Sequence, residues 1–196
     1  MWGNEDTQES VLNLMDHLAA NYGVTKFHVI AASAGNTTLL NLILGGRADF
    51  ESVVLVVPVL SLESMYRCPA GVNRVGGIST AFAFQPAGEC PGDPDNDMAF
   101  RRATEGWDPL RRLRALGADR RRKALSGVRW ATLYHEGDPK VIPAENILPF
   151  GEFLEQAGLP LLEIASPLET HSPGSLFLEH ADRVVEFLEG DSEGGR

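Results

Sequence analysis

Long apolar runs are missing from this chain. Nowhere in its 196 residues is there a stretch of the about 18 uncharged apolar residues that a membrane-crossing helix needs, so no membrane span is expected. The opening MWGNEDTQES has neither the basic start nor the apolar stretch of a signal peptide, which predicts a cytoplasmic protein. Cysteine is scarce. Cys68 and Cys90 are too few for a disulfide scaffold, and a single bridge and two free thiols both remain open. Positive charge is in deficit, with 17 Lys and Arg against 27 Asp and Glu, and a net charge of −10 argues against general nucleic-acid binding. No G-x-x-x-x-G-K-[ST] phosphate loop and no His/Cys cluster at zinc spacing is present, so no cofactor and no metal are expected. Asp93-Pro94-Asp95-Asn96-Asp97 has the look of a calcium loop, but Met98 stands where the loop needs Gly and Thr104 where it needs Glu.

What is there suits one globular domain: 43% hydrophobic and 22% charged residues in a chain long enough for a sizeable core. Residues 6–21 space Val11, Leu12, Leu14, Met15 and Leu18 as a helix, with Asp6 or Thr7 as N-cap and Gly23 as terminator. Buried strands are predicted at 25–32, 52–57, 128–134 and 159–165, and helices at 34–44, 108–125, 143–157 and 174–189. Strands alternating with helices predict an α/β fold with a mostly parallel sheet. Residues 61–107, rich in Gly, Pro and Asn, read as a lid inserted into a domain spanning 1–189, and 190–196 as a disordered tail. Residues 101–123 carry nine Lys or Arg against Glu105, Asp108 and Asp119. That is a solvated basic face or, through Arg111, Arg112, Arg114 and Arg120 to Arg122, a site for an anion.

In parallel sheets ligands sit beyond the carboxyl ends of the strands. After the first predicted strand comes Ser33, between Ala31-Ala32 and Ala34-Gly35. After the third comes His135-Glu136-Gly137-Asp138-Pro139, and after the fourth Ser166 to His171. A serine, a carboxylate and a histidine at one end of three strands are the inventory of nucleophilic acyl transfer. The small residues around Ser33 suit a serine on a sharp strand-to-helix turn, or simply close packing with Ser33 as helix N-cap. Asp138 competes with Glu136 for the acid, and His171 with His135 for the base.

The Ala31-Ala32-Ser33-Ala34-Gly35 turn, Gly137-Asp138-Pro139 followed by Val141 and Pro143, and the late His171 resemble the α/β-hydrolase family, in its chain order of Ser, Asp, His. The Trp2-Gly3-Asn4 start and the following helix look like a group of actinobacterial and phage-encoded hydrolases, so a virion-associated or secreted longer product is the alternative to a cytoplasmic one. The resemblance implies an α/β-hydrolase-like three-layer sandwich and a serine hydrolase cleaving carboxylic esters. It assigns Ser33 as nucleophile, His171 as base, Asp138 as its orienting acid and the Ala34 N–H as oxyanion donor. A lid carrying Met65, Ile78, Phe82 and Phe84 would meet a small-molecule or lipid-like ester. Ala31 stands where Gly is commoner. The strands that the family places before the serine turn have no counterpart here, which leaves no evident second oxyanion donor. It also predicts a reduced, four-strand sheet with an exposed edge, open to homo-oligomer formation. A catalytically inactive, hydrolase-like binding or structural module is the competing reading.

Overall fold

The computed structural model describes residues 2–71, 73–86, 88–90, 94 and 97–190. Four strands, β1 (His28–Ala32), β2 (Ser52–Val56), β3 (Arg129–His135) and β4 (Leu161–Ser166), form one sheet in the order β1-β2-β3-β4. All three pairings are parallel, with Ile30 opposite Val54, Val56 opposite Leu133 and His135 opposite Ser166. β2 is buried at every position, as its unbroken Val/Leu run requires of a strand covered on both faces.

Successive side chains of a strand serve opposite faces. On one face, Val53, Leu55, Trp130 and Tyr134 share a core with α2 (Gly35–Leu44), α6 (Pro109–Ala115), α7 (Ala118–Leu125) and α8 (Ile147–Gln156). On the other, Val54, Val56, Ala131, Leu133 and Ile164 pack against α9 (Pro173–Glu179) and α10 (Ala181–Glu189). The amino-terminal helix α1 (Glu5–Tyr22) packs on α2. It starts at Asn4, whose Oδ1 accepts the Thr7 N–H at 3.3 Å, rather than at Asp6 or Thr7, and ends at Gly23 with φ 67°.

Between β2 and α6 the chain builds a third apolar cluster rather than an open loop, using α3 (Leu62–Tyr66), α4 (Val75–Ala81) and α5 (Met98–Ala103). Leu62, Met65, Tyr66, Ile78 and Phe100 fill it. Buried polar side chains fasten it to the rest. Asp108 accepts the Leu62, Glu63 and Arg111 N–H groups at 2.6, 3.2 and 2.9 Å, so one carboxylate serves the first turns of both α3 and α6. Burial pushes that carboxyl above its ordinary range, against the pull of the hydrogen bonds. Asn146 Oδ1 likewise accepts the Leu60 and Ser61 N–H groups at 2.9 and 3.0 Å. Asp97 caps α5 and accepts the Tyr66 hydroxyl at 2.6 Å; Asp93, Asp95 and Asn96 of the calcium-like stretch lie outside the described residues. Cys68 and Cys90 are bonded to each other, with Cα atoms 5.7 Å apart, and close a loop that contains α4.

Three predicted helices are divided, that over 143–157 into a 3₁₀ turn, Pro143–Glu145, and α8. The 108–125 helix breaks at Leu116-Gly117 and the 174–189 helix at His180. The tail predicted from Gly190 lies, beyond Gly190 itself, outside the described residues. Among the described residues no helix is long and apolar enough to cross a membrane.

Candidate active site

Ser33 ends β1 and precedes α2 with φ 49°, a left-handed conformation that a side-chain-bearing residue adopts only under constraint. Its N–H donates to Val56 O at 2.9 Å, and its carbonyl accepts the Val59 N–H at 3.2 Å, so the turn is tied to the end of β2 from both sides. The side chain is half-buried. The Ala34 and Gly35 N–H groups, at the start of α2, meet no acceptor among the described residues. The open end of a ten-residue helix therefore stands beside the hydroxyl, where it favours negative charge.

Asp138 follows β3 and is buried. Its Oδ1 accepts the Lys140 and Val141 N–H groups at 2.8 and 2.9 Å, and its Oδ2 accepts His171 Nδ1–H at 2.7 Å. Burial alone would raise the carboxyl. The hydrogen bonds from His171, Val141 and Lys140, with the histidine's charge, outweigh it and hold Asp138 below the ordinary 3.8. The histidine's Nε2 lies 3.5 Å from Ser33 Oγ, the outer limit of hydrogen bonding. Such contacts are often long without substrate. With Nδ1 donating to the carboxylate, Nε2 is left as the acceptor that faces the serine.

The loop carrying His171 rests on the acid's own turn. A Cβ added at Gly137 would come within 2.6 Å of Glu169 Cγ and 3.2 Å of Glu169 Cα, so only glycine allows this approach. The competing candidates fall elsewhere. Glu136 is exposed, and buried His135 has no hydrogen-bond partner on either ring nitrogen among the described residues. Met65 and Ile78 are buried inside the α3–α5 cluster, with Phe82 and Phe84 half-buried at its margin. Val59 and Val141, whose N–H groups serve Ser33 and Asp138, belong to the same cluster, which therefore buttresses the site. Part of the basic segment is used internally: Arg111 pairs with Glu63, Arg112 donates to Asn41 Oδ1 and Arg121 to Gln156 Oε1. A cleft of about 640 Å³ bordered by Lys26, Phe27, Phe50 and Val128 lies at the amino ends of the strands, opposite Ser33.

Sequence patterns gave no warning of Asn36, buried in the first turn of α2, whose side-chain amide donates to Ser33 O at 2.9 Å. Val57, at φ 39° just past β2, was equally silent: nothing in a Val-Val-Pro stretch announces a left-handed valine.

A parallel sheet flanked by helices, with Ser33, Asp138 and His171 converging beyond the strand ends, defines an α/β-hydrolase-type fold. Comparison with solved structures agrees on that fold. A ferulic acid esterase superposes with a TM-score of 0.58 at 17% identity, covering 89% of this chain and 57% of the esterase. A puromycin-hydrolysing peptidase of Mycobacterium tuberculosis gives 0.61 at 22% identity, covering 95% and 26%. An acylaminoacyl peptidase gives 0.63 at 12% identity, covering 96% and 28%. This chain thus spans little more than half of the esterase and about a quarter of each peptidase. No family model matches the sequence, and no curated protein does.

Proposed function

We propose that this chain is a serine hydrolase that cleaves carboxylic esters through an acyl-enzyme. The observation that carries the reading is the line Ser33 Oγ, His171 Nε2, His171 Nδ1, Asp138 Oδ2, at the one end of the sheet where Ser33 is held in a left-handed turn. Ser33 Oγ attacks the ester carbonyl while its proton passes to His171 Nε2. The resulting oxyanion takes the Ala34 N–H, with the Gly35 N–H beside it. His171 returns the proton to the departing alkoxide as the carbonyl re-forms, leaving the acyl group on Ser33. Water then attacks the acyl carbon, giving its proton to His171 and thence to Ser33, and the carboxylic acid is released. Asp138 keeps the tautomer and stabilises the imidazolium in each half. No cofactor enters. Residues 61–107 act as the lid, with Phe82 and Phe84 placed to touch an apolar acyl group and Met65 and Ile78 supporting them from within.

An ester is preferred to an amide on leaving-group grounds, since the structural relatives include peptidases as well as an esterase: an alkoxide leaves far more readily than an amide anion. Extra help from the protein is then less necessary, which matters where few oxyanion donors are evident. A cytoplasmic setting sits poorly with the Cys68–Cys90 bond, since structural disulfides persist in oxidising surroundings, and the bond favours an extracellular or virion-surface setting.

The non-catalytic alternative, a hydrolase-like module that associates through β1, draws on the open edge of the sheet. Intact mass after exposure to a fluorophosphonate separates the two. One adduct on the wild-type protein and none on Ser33→Ala supports the hydrolase; no adduct on folded wild-type protein overturns it.

A further inference from the structure

Ser33 carries a side chain at a backbone angle that ordinary residues avoid, and such a conformation persists only where its surroundings over-determine it. The restraints can be followed atom by atom. Ser33 N–H donates to Val56 O at 2.9 Å. Ser33 O accepts three groups: the Asn36 N–H at 3.2 Å, the Val59 N–H at 3.2 Å and Asn36 Nδ2 at 2.9 Å. Asn36 Nδ2 also donates to Val56 O at 3.4 Å. One amide group thus bridges the acceptor of Ser33's own N–H and Ser33's own carbonyl, closing a ring around the strained residue.

The side chain of Asn36 is fully buried, 0% exposed, and its Oδ1 has no partner among the described residues. A buried, unpaired amide oxygen is a cost that alanine at this helical position would avoid. The reverse orientation of the amide would set its oxygen against two carbonyl oxygens, so the donors are fixed on Ser33 and Val56. Among the described residues, its side-chain hydrogen bonds are therefore the two that hold the turn.

We propose that Asn36 is a positioning residue for Ser33, setting the direction of the hydroxyl through the backbone without touching the reacting atoms; as a statement about catalysis it rests on the hydrolase reading above. The fold tolerates its loss, because Ser33 O keeps two N–H donors and Val56 O keeps one. What is lost is the lock on Ser33, whose Oγ already stands at the outer limit of reach from His171.

The test compares Asn36→Ala and Asn36→Ser with the wild type and with Asn41→Ala. Asn41 lies on the same helix but donates to Gly3 O and Trp107 O, away from Ser33. The readouts are the rate of fluorophosphonate labelling, kcat and KM on a short-chain ester, and the Ser33 φ angle in crystal structures. For Asn36→Ala the labelling rate and kcat are expected to fall about a hundredfold, the loss that follows a displacement of about 1 Å at a reacting group. KM should change less than about twofold, since the substrate-binding surface is untouched. Asn36→Ser, with one hydroxyl donor for two carbonyls, should lie between. Asn41→Ala should unfold at a lower temperature yet label at the wild-type rate when folded. In the Asn36→Ala crystal structure the Ser33 φ angle should leave the left-handed region. Equal slowing by Asn41→Ala, or an unchanged labelling rate and φ in the Asn36 variants, overturns the proposal. If the wild type itself fails to label, the hydrolase reading falls. The φ angles of wild type and variants then still decide whether Asn36 holds the turn.

Discussion

Asp138 stands at the end of β3, a strand paired on both sides, and every oxygen of its carboxylate is engaged by a donor within 2.9 Å. Ser33 stands at the end of β1, which has one neighbour among the described strands and alternates exposed and half-buried along its length. The acid and histidine are locked loop to loop at Gly137, whereas the serine meets the histidine across 3.5 Å. The difference teaches which half of the candidate site is secured. One half of the site is held by a finished piece of sheet. The other half is held by hydrogen bonds to β2 and by α2, with no second strand at its side among the described residues. Substitutions in the first half should therefore act abruptly, and those along β1 weakly.

The largest expected effect is at Asp138. If the proposed hydrolase chemistry holds, replacing it by Asn removes the charge that would stabilise the imidazolium and favours the wrong tautomer of His171, so turnover of an ester substrate at neutral pH should drop about 10⁴-fold. Stability carries a sign that can be checked separately. Because the carboxyl is depressed below its unfolded value of 3.8, its contribution is complete above that pH and is lost as the pH falls through the lower, folded value. The gap in melting temperature between wild type and Asp138→Asn should be constant from neutral pH to about pH 5 and shrink below pH 4. A gap that fails to shrink below pH 4 would show that the carboxylate is not held by these bonds.

Next comes the contact that joins the two loops. In Gly137→Ala the new methyl must displace Glu169, backbone included, and carry His171 with it. A fall of about 10²-fold in kcat is expected from a shift of that size. The effect should exceed that of Glu169→Ala, which removes only the side chain that stands in the way. If Gly137→Ala turns over normally, the close approach of the two loops is not what sets the histidine.

Much of this architecture can be read in the chain. β2 declares itself by SVVLV, and Ser33, Asp138 and His171 by their positions after three strands, because apolar runs and strand-end residues are local signals. Other features are not local. The bridge between Cys68 and Cys90 depends on how the 61–107 segment folds, and its described residues include the short α-helices α3, α4 and α5, made from sequence that reads as turns. The 108–125 helix divides at Gly117, a residue of low helix propensity, and the 174–189 helix at His180, neither of them at a proline. Asn36 and Val57 are invisible because each has a partner remote in sequence: the Asn36 amide donates to Val56 O as well as to Ser33 O, and the Val57 N–H to Leu133 O of β3.

The smallest expected effect gives the comparison its sharpest test. Ile30 and Val54 are partners in the parallel register, so their side chains share one face of the sheet, yet Ile30 is 43% exposed and Val54 is 0% exposed. Val54→Ala removes buried methyl groups and should lower unfolding stability by about 2 kcal/mol in urea titrations. Ile30→Ala, on the open strand, should cost less than about 0.5 kcal/mol. Running both at two protein concentrations separates two states of β1. If Ile30→Ala costs as little as exposure dictates and the midpoint ignores concentration, the strand faces water in solution. If it costs as much as Val54→Ala and the wild-type midpoint rises with concentration, another chain covers β1, because association with the folded state stabilises by mass action. In that case the serine half of the site is finished by an intermolecular contact, and Ser33 should be labelled faster as the protein concentration increases.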